Sequence, residues 1–169
     1  MPQKRAGALG VHSIDHFGLQ VPNLAKARDF YETFGLDVRN TAEGLELYTF
    51  GNDHCWGRIV DGPVKQLRYI SFGIYAEDED ALLARLDANG VERIDALDKT
   101  PGNGSWFAGF DGMPLNIVVG DKCSPDAKTQ FTVQSSKAGE SGAVFNSKAP
   151  QTRPRNLSHF AIYTTDVIA

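Results

Sequence analysis

A chain of 169 residues suits one compact domain with an appendage, since domains most often run to roughly 100–150 residues. With 41% hydrophobic and 22% charged residues the composition is that of an ordinary folded protein, and no apolar run approaches the roughly 20 residues of a membrane helix. A net charge of −4, with no local cluster of Lys or Arg, gives nucleic acid no basic footprint. Met1 to Val11 holds two basic residues without an apolar stretch behind them, which argues against a secretory signal and for a cytoplasmic protein. Two cysteines, Cys55 and Cys123, are too few and too far apart to read as a disulfide framework or a zinc site, and are expected to be ordinary thiols.

One short pattern begins three apolar runs: Asp15-His16-Phe17-Gly18-Leu19, Ile70-Ser71-Phe72-Gly73-Ile74 and Ser158-His159-Phe160-Ala161-Ile162. In the first, Phe17, Leu19 and Val21 alternate with Ile14, His16, Gly18 and Gln20, which predicts a strand with the histidine opposite the bulky face. A helix follows, capped by Asn23, with Leu24, Ala27, Phe30, Tyr31 and Phe34 as its apolar stripe and Gly35 just past its end. Two β-rich runs come next, Leu45 to Phe50 and Trp56 to Asp61.

The second copy repeats this order. After the strand at Ile70, Asp78 is placed to cap a helix whose first turn carries Glu79 and Asp80, whose Leu82, Leu83 and Leu86 face inward, and which ends at Gly90. Ser105 to Phe110 and Leu115 to Val119 follow, the closing run Asn116-Ile117-Val118-Val119-Gly120 matching Arg58-Ile59-Val60-Asp61-Gly62. Each copy is thus read as strand, helix, then three strands: an α+β pattern of tandem βαβββ modules. His16 to Ser71 spans 55 residues and Ser71 to His159 spans 88, so an excess of about 33 lies between the second and third copies. That excess maps to the polar stretch from Asp121 to Asn156, too long for a loop within a compact domain. The expected organisation is a two-module domain over 1–120, a linker over 121–156, and the first strand of a third module over 157–169.

The strand with its histidine, the helix Pro22-Asn23-Leu24-Ala25-Lys26-Ala27-Arg28-Asp29-Phe30-Tyr31 and the following Phe34-Gly35-Leu36 resemble the opening of the glyoxalase, bleomycin-resistance and dioxygenase proteins, the vicinal-oxygen-chelate superfamily. Trp56 through Gly73 and Asp111-Gly112-Met113-Pro114-Leu115-Asn116-Ile117 look more specifically like type I extradiol dioxygenases. The resemblance implies that the modules form a curved mixed sheet with helices outside, and it implies a ring-cleaving enzyme of catechol degradation, built from two modules without metal followed by two catalytic modules. It implies iron(II), or manganese(II), held by two histidines and a glutamate, and an aromatic diol and dioxygen as reactants. On that plan this chain is the N-terminal half of a homo-oligomer and stops shortly into its third module, so by itself it is expected to be inactive.

Of the implied metal ligands, one falls on this chain, at His159. The equivalent positions of the first two modules are His16, Arg58, Ser71 and Asn116, of which one is a good ligand and one a cation, so no metal is expected in 1–120. His16 is kept as a weaker metal candidate beside its reading as a hydrogen-bonded strand histidine. Arg58 is kept as a clamp for a small organic acid beside its reading as a partner of Asp61 or Glu46. His54, in Gly51-Asn52-Asp53-His54-Cys55, is expected in an exposed turn. The alternatives to a dioxygenase half are a stand-alone binding protein like those of bleomycin resistance and a metal lyase or isomerase like glyoxalase.

Overall fold

The alternating apolar runs do form strands. The computed structural model describes residues 7–123 and 153–162, within which one seven-stranded sheet is built from β1 (Ser13–Val21), β2 (Asp37–Asn40), β3 (Gly44–Tyr48), β4 (Cys55–Asp61), β5 (Gln66–Ile74), β6 (Ser105–Ala108) and β7 (Pro114–Val119). Helix α1 (Leu24–Phe34) joins β1 to β2, and α2 (Glu79–Ala88) follows β5. The strand order is β2-β3-β4-β1-β5-β7-β6. β1 lies antiparallel to β5 at the centre, and each of these has its module's closing strand parallel on its outer side, β4 beside β1 and β7 beside β5. The repeat in the chain is therefore a repeat in the sheet.

The apolar face of β1 is the one expected. Phe17, Leu19 and Val21 pack with Leu24, Ala27 and Tyr31 of α1 over a core of Val38, Leu45, Leu47 and Ile59. Asn23 accepts the backbone N–H of Lys26 at 2.9 Å, and Gly35 closes the helix in the left-handed conformation, φ +99°, where a side chain would be strained. The stripe is narrower than its periodicity implies: Phe30 and Phe34 are 61% and 59% exposed and stack on each other beyond the edge of the sheet contact.

The second module departs further from the expectation. A 3-10 turn at Ala76–Asp78 leads into α2, and Asp78 is buried with helical backbone angles and makes no side-chain capping bond. Of the three leucines Leu82 is buried, while Leu83 and Leu86 are partly covered. No third strand follows α2 among the described residues; an isolated bridge between Arg93 and Phe107 stands where β2 stands in the first module. β2 itself, with Val38 its one apolar residue, pairs in full with β3.

Beyond β7, Gly120 donates its N–H to Ile74 O at 3.2 Å, and Asp121–Cys123 turns back toward the start of β1. The expected linker is described only at its two ends, and its interior, like the chain after Ile162, lies outside the described residues. Its second end returns to the first module: Thr49 Oγ1 donates to Arg155 O at 3.1 Å and the Arg153 guanidinium lies 3.8 Å over the Phe50 ring. The described part of the expected third-module strand, Leu157–Ile162, is not a strand. It lies outside the strands of the sheet, and its Phe160 stands edge-on against Phe17, ring centres 5.3 Å apart.

Candidate functional site

On the face of the sheet turned away from α1, the module-equivalent positions fall side by side, because β1 and β5 meet at His16 opposite Ser71 and the closing strands bring Arg58 beside Gly18 and Asn116 beside Ser71. Most of the polar atoms on this face are paired, although the buried Arg58 Nε has no hydrogen-bond partner. Ser71, fully buried, donates its hydroxyl to Asn116 Oδ1 at 2.8 Å. Arg58 pairs through Nη1 with Glu46, whose other oxygen accepts the Tyr48 hydroxyl at 2.7 Å. Burial and that carboxylate push the Tyr48 phenol well above its ordinary value.

His16 is buried and has both ring nitrogens engaged, Nδ1 2.6 Å from Asp15 Oδ2 and Nε2 3.0 Å from the Tyr69 hydroxyl. A carboxylate only accepts, so Nδ1–H donates to Asp15; in the neutral ring Nε2 then accepts from Tyr69. Neighbours on a regular strand point to opposite faces, yet Asp15 and His16 meet. The reason is a bulge: Ile14 pairs with Phe72 and His16 with Ser71, so Asp15 is an extra residue in β1 and its carboxylate is turned toward the histidine.

The same bulge gathers residues that lie far apart in the chain. His54 Nε2–H donates to the Asp15 carbonyl oxygen at 2.7 Å, its ring standing edge-on to Trp56. His54 Nδ1 then faces Cys123 Sγ at 3.6 Å, and Cys123 Sγ lies 3.4 Å from Asp15 Oδ1. All three donor atoms lie within 4.8 Å of one another, each on a half-buried residue. Burial would raise the Asp15 carboxyl, but the hydrogen bond from His16 and the two nearby histidines outweigh it and hold the group below its usual range. Burial first, and then the Asp15 carboxylate, pushes the Cys123 thiol up to about 12.

His54 is thus not the free turn residue expected, and Cys123 is not an isolated thiol. The sequence sets an acid beside a histidine at the head of a strand but gives no sign that the two side chains meet. The convergence depends on strand pairing and on the return of the chain after β7. His159, by contrast, is exposed; its Nδ1 lies 2.8 Å from Ser158 Oγ, and it joins none of these groups.

The fold belongs to a known class. Residues 13–118 match the model of the glyoxalase/bleomycin resistance protein/dioxygenase superfamily, and the chain is a member of that family. More particularly, it is 36% identical over 157 residues to metapyrocatechase 2 of Cupriavidus necator, a match covering 93% of this chain and 49% of that protein. The chain thus spans about half the length of that relative. Among solved structures it resembles a homoprotocatechuate 2,3-dioxygenase variant from Brevibacterium fuscum, with 27% identity and a TM-score of 0.55 over 70% of this chain and 35% of that one. Two others share the fold: BphC, a halotolerant catechol dioxygenase (20% identity, TM-score 0.56, 69% and 42% coverage), and a manganese(II)-bound glyoxalase from Novosphingobium aromaticivorans (22%, 0.56, 73% and 43%).

Proposed function

We propose that the chain is the N-terminal half of an extradiol dioxygenase that inserts both atoms of dioxygen into a catechol beside its hydroxylated carbons. The observation that carries this is the extent of the likeness to the metapyrocatechase: 157 matched residues are more than the first 120 positions hold, so the match continues past the two-module domain. On this reading 1–120 is the scaffold domain, 121–156 the connector, and 157–169 the start of the catalytic domain.

His159 is the residue of this chain assigned to the iron(II) or manganese(II) centre. Its Nδ1 is held by Ser158. The other two ligands, a histidine and a glutamate, belong to sequence beyond this chain, and the described residues around His159 offer no substitute. The chemistry such an ion supplies is to hold catecholate and dioxygen side by side and carry charge between them. What the present residues contribute is position: the internally paired face of Ser71, Asn116, Arg58 and Glu46 makes a rigid support rather than a second reactive centre. An aromatic diol and dioxygen are the reactants, and the whole protein is cytoplasmic and homo-oligomeric.

The test uses the polypeptide extended to the length of the metapyrocatechase relative, loaded with iron(II) without air and then given catechol and oxygen. Ring-opened product is expected, with His159→Ala losing both iron and activity while the folded protein keeps its far-ultraviolet spectrum. No ring opening by the parent, or a variant that keeps iron and turnover, overturns the reading.

A further inference from the structure

Three hydrogen-bond acceptors converge on one sulfur. Cys123 Sγ lies 3.4 Å from Asp15 Oδ1, 3.6 Å from His54 Nδ1 and 3.4 Å from Asp121 O. A thiol has one proton, so it can satisfy one of the three at a time. His54 Nδ1 has its lone pair free for this direction because the ring's single proton, on Nε2, is committed to the Asp15 carbonyl at 2.7 Å. A cation at the centre of the group would satisfy all the donor atoms together.

We infer that Asp15, His54 and Cys123 bind one zinc ion, through Oδ1, Nδ1 and Sγ, with a fourth position left to water or to the Asp121 carbonyl. The geometry is close to what zinc requires. With Zn–S near 2.3 Å and Zn–N or Zn–O near 2.0–2.2 Å, tetrahedral ligands stand about 3.5 Å from one another. The two sulfur-centred separations here are 3.4 and 3.6 Å, and the three residues offer one ligand atom each within 4.8 Å of one another. One thiolate, one imidazole and one carboxylate suit zinc better than calcium or magnesium, which prefer all-oxygen sites.

The supporting shell is also in place. Metal-binding imidazoles typically donate their other N–H to a carbonyl or carboxylate, and ligating carboxylates are themselves hydrogen-bonded. His54 does the first toward Asp15 O, and Asp15 does the second through Oδ2, which accepts from His16, itself held by Tyr69. The ion would fasten the chain leaving β7 to the bulge of β1 and the start of β4. It is a staple at the root of the connector, separate in place and in residues from the centre assigned to His159.

The test uses the full 169-residue chain, free of any tag and stripped with a chelator, titrated with zinc or cobalt(II) and followed by calorimetry, absorbance and thermal melting. Expected are one zinc per chain, a rise in melting temperature with zinc, and a thiolate-to-cobalt charge-transfer band. Cys123→Ser should abolish the band and the thermal shift, His54→Ala should abolish the shift, and Cys55→Ser should keep both. His16→Ala, which removes only the support, should weaken zinc binding by roughly 10–100-fold. Circular dichroism of each metal-free variant separates lost binding from lost folding. No stoichiometric zinc at micromolar concentration, or a charge-transfer band that survives in folded Cys123→Ser, overturns the site. Neither result bears on ring cleavage, which is read on the extended protein.

Discussion

A side chain at Gly18 would occupy space that Tyr69 already fills, since a Cβ there would lie 2.0 Å from Tyr69 Cε1. The Tyr69 ring is 1% exposed, lies across Gly18 from its paired strand, and reaches His16 with its hydroxyl. Gly18→Ala must therefore displace the ring, and a loss of about 1–3 kcal/mol is expected from urea unfolding, as for other overpacked sites; an unchanged midpoint would contradict the packing described. The same burial pushes the Tyr69 phenol from 10.0 up to about 12. Because the folded value is raised, this contribution to stability is fully present below pH 10 and is lost as pH climbs from 10 to 12, where the unfolded tyrosine gives up its proton first. Unfolding measured across that window should fall more steeply for the parent than for Tyr69→Phe, by up to roughly 1.4 kcal/mol per pH unit. Equal slopes would sink the argument. Part of this face was legible in the sequence: alternation put His16 opposite the bulky residues, and the repeat together with the family resemblance named Ser71, Arg58 and Asn116 as the equivalent positions. Asp15 was not, because a bulge belongs to a pair of strands and leaves no mark in one of them. Nor was the meeting of His54 with Cys123, 69 residues apart, which depends on the path of the chain after β7.

At the scale of elements, α1 separates what its ends do from what its surface does. Asn23 satisfies the Lys26 N–H, a bond whose loss in Asn23→Ala should cost about 0.5–2 kcal/mol. Phe30 and Phe34 belong to the apolar periodicity of the same helix but stand largely exposed, so the double change to serine should move stability by no more than about 0.5 kcal/mol per site. Chemical denaturation of both variants gives the comparison, and a large loss from the phenylalanine changes would restore them to the core. Periodicity counted five apolar residues as one stripe, whereas the helix meets the core along Leu24, Ala27 and Tyr31, each only partly buried, and turns Phe30 and Phe34 to its exposed side. The converse holds for β2: Asp37-Val38-Arg39-Asn40 carries no alternating signal, and its strand form comes from pairing with β3. Asp78 had the right residue type for a cap but lies in a 3-10 turn, its helical backbone angles leaving the side chain out of capping geometry.

For the molecule as a whole, the decisive feature is that the two modules share one sheet. β1 and β5 are neighbours joined through paired residues from Ser13–Gly73 to Gln20–Gln66, so neither module can lose its first strand without exposing the edge of the other. The first module holds the contiguous core of Val38, Leu45, Leu47 and Ile59 under α1, while Trp106, Phe107 and Val118 are buried in the second. If the seam makes the modules one cooperative unit, a cavity in the first must be felt in the second. Leu47, 1% exposed, supplies the test: Leu47→Ala should cost about 2–5 kcal/mol, as buried leucines do. Under conditions where exchange reports global unfolding, the Leu115 and Ile117 amides of β7, on the far side of the seam, should then lose as much hydrogen-exchange protection as those of Leu45 in β3. Loss confined to β2, β3 and α1 would instead mean that the modules unfold separately and that β1 alone ties them.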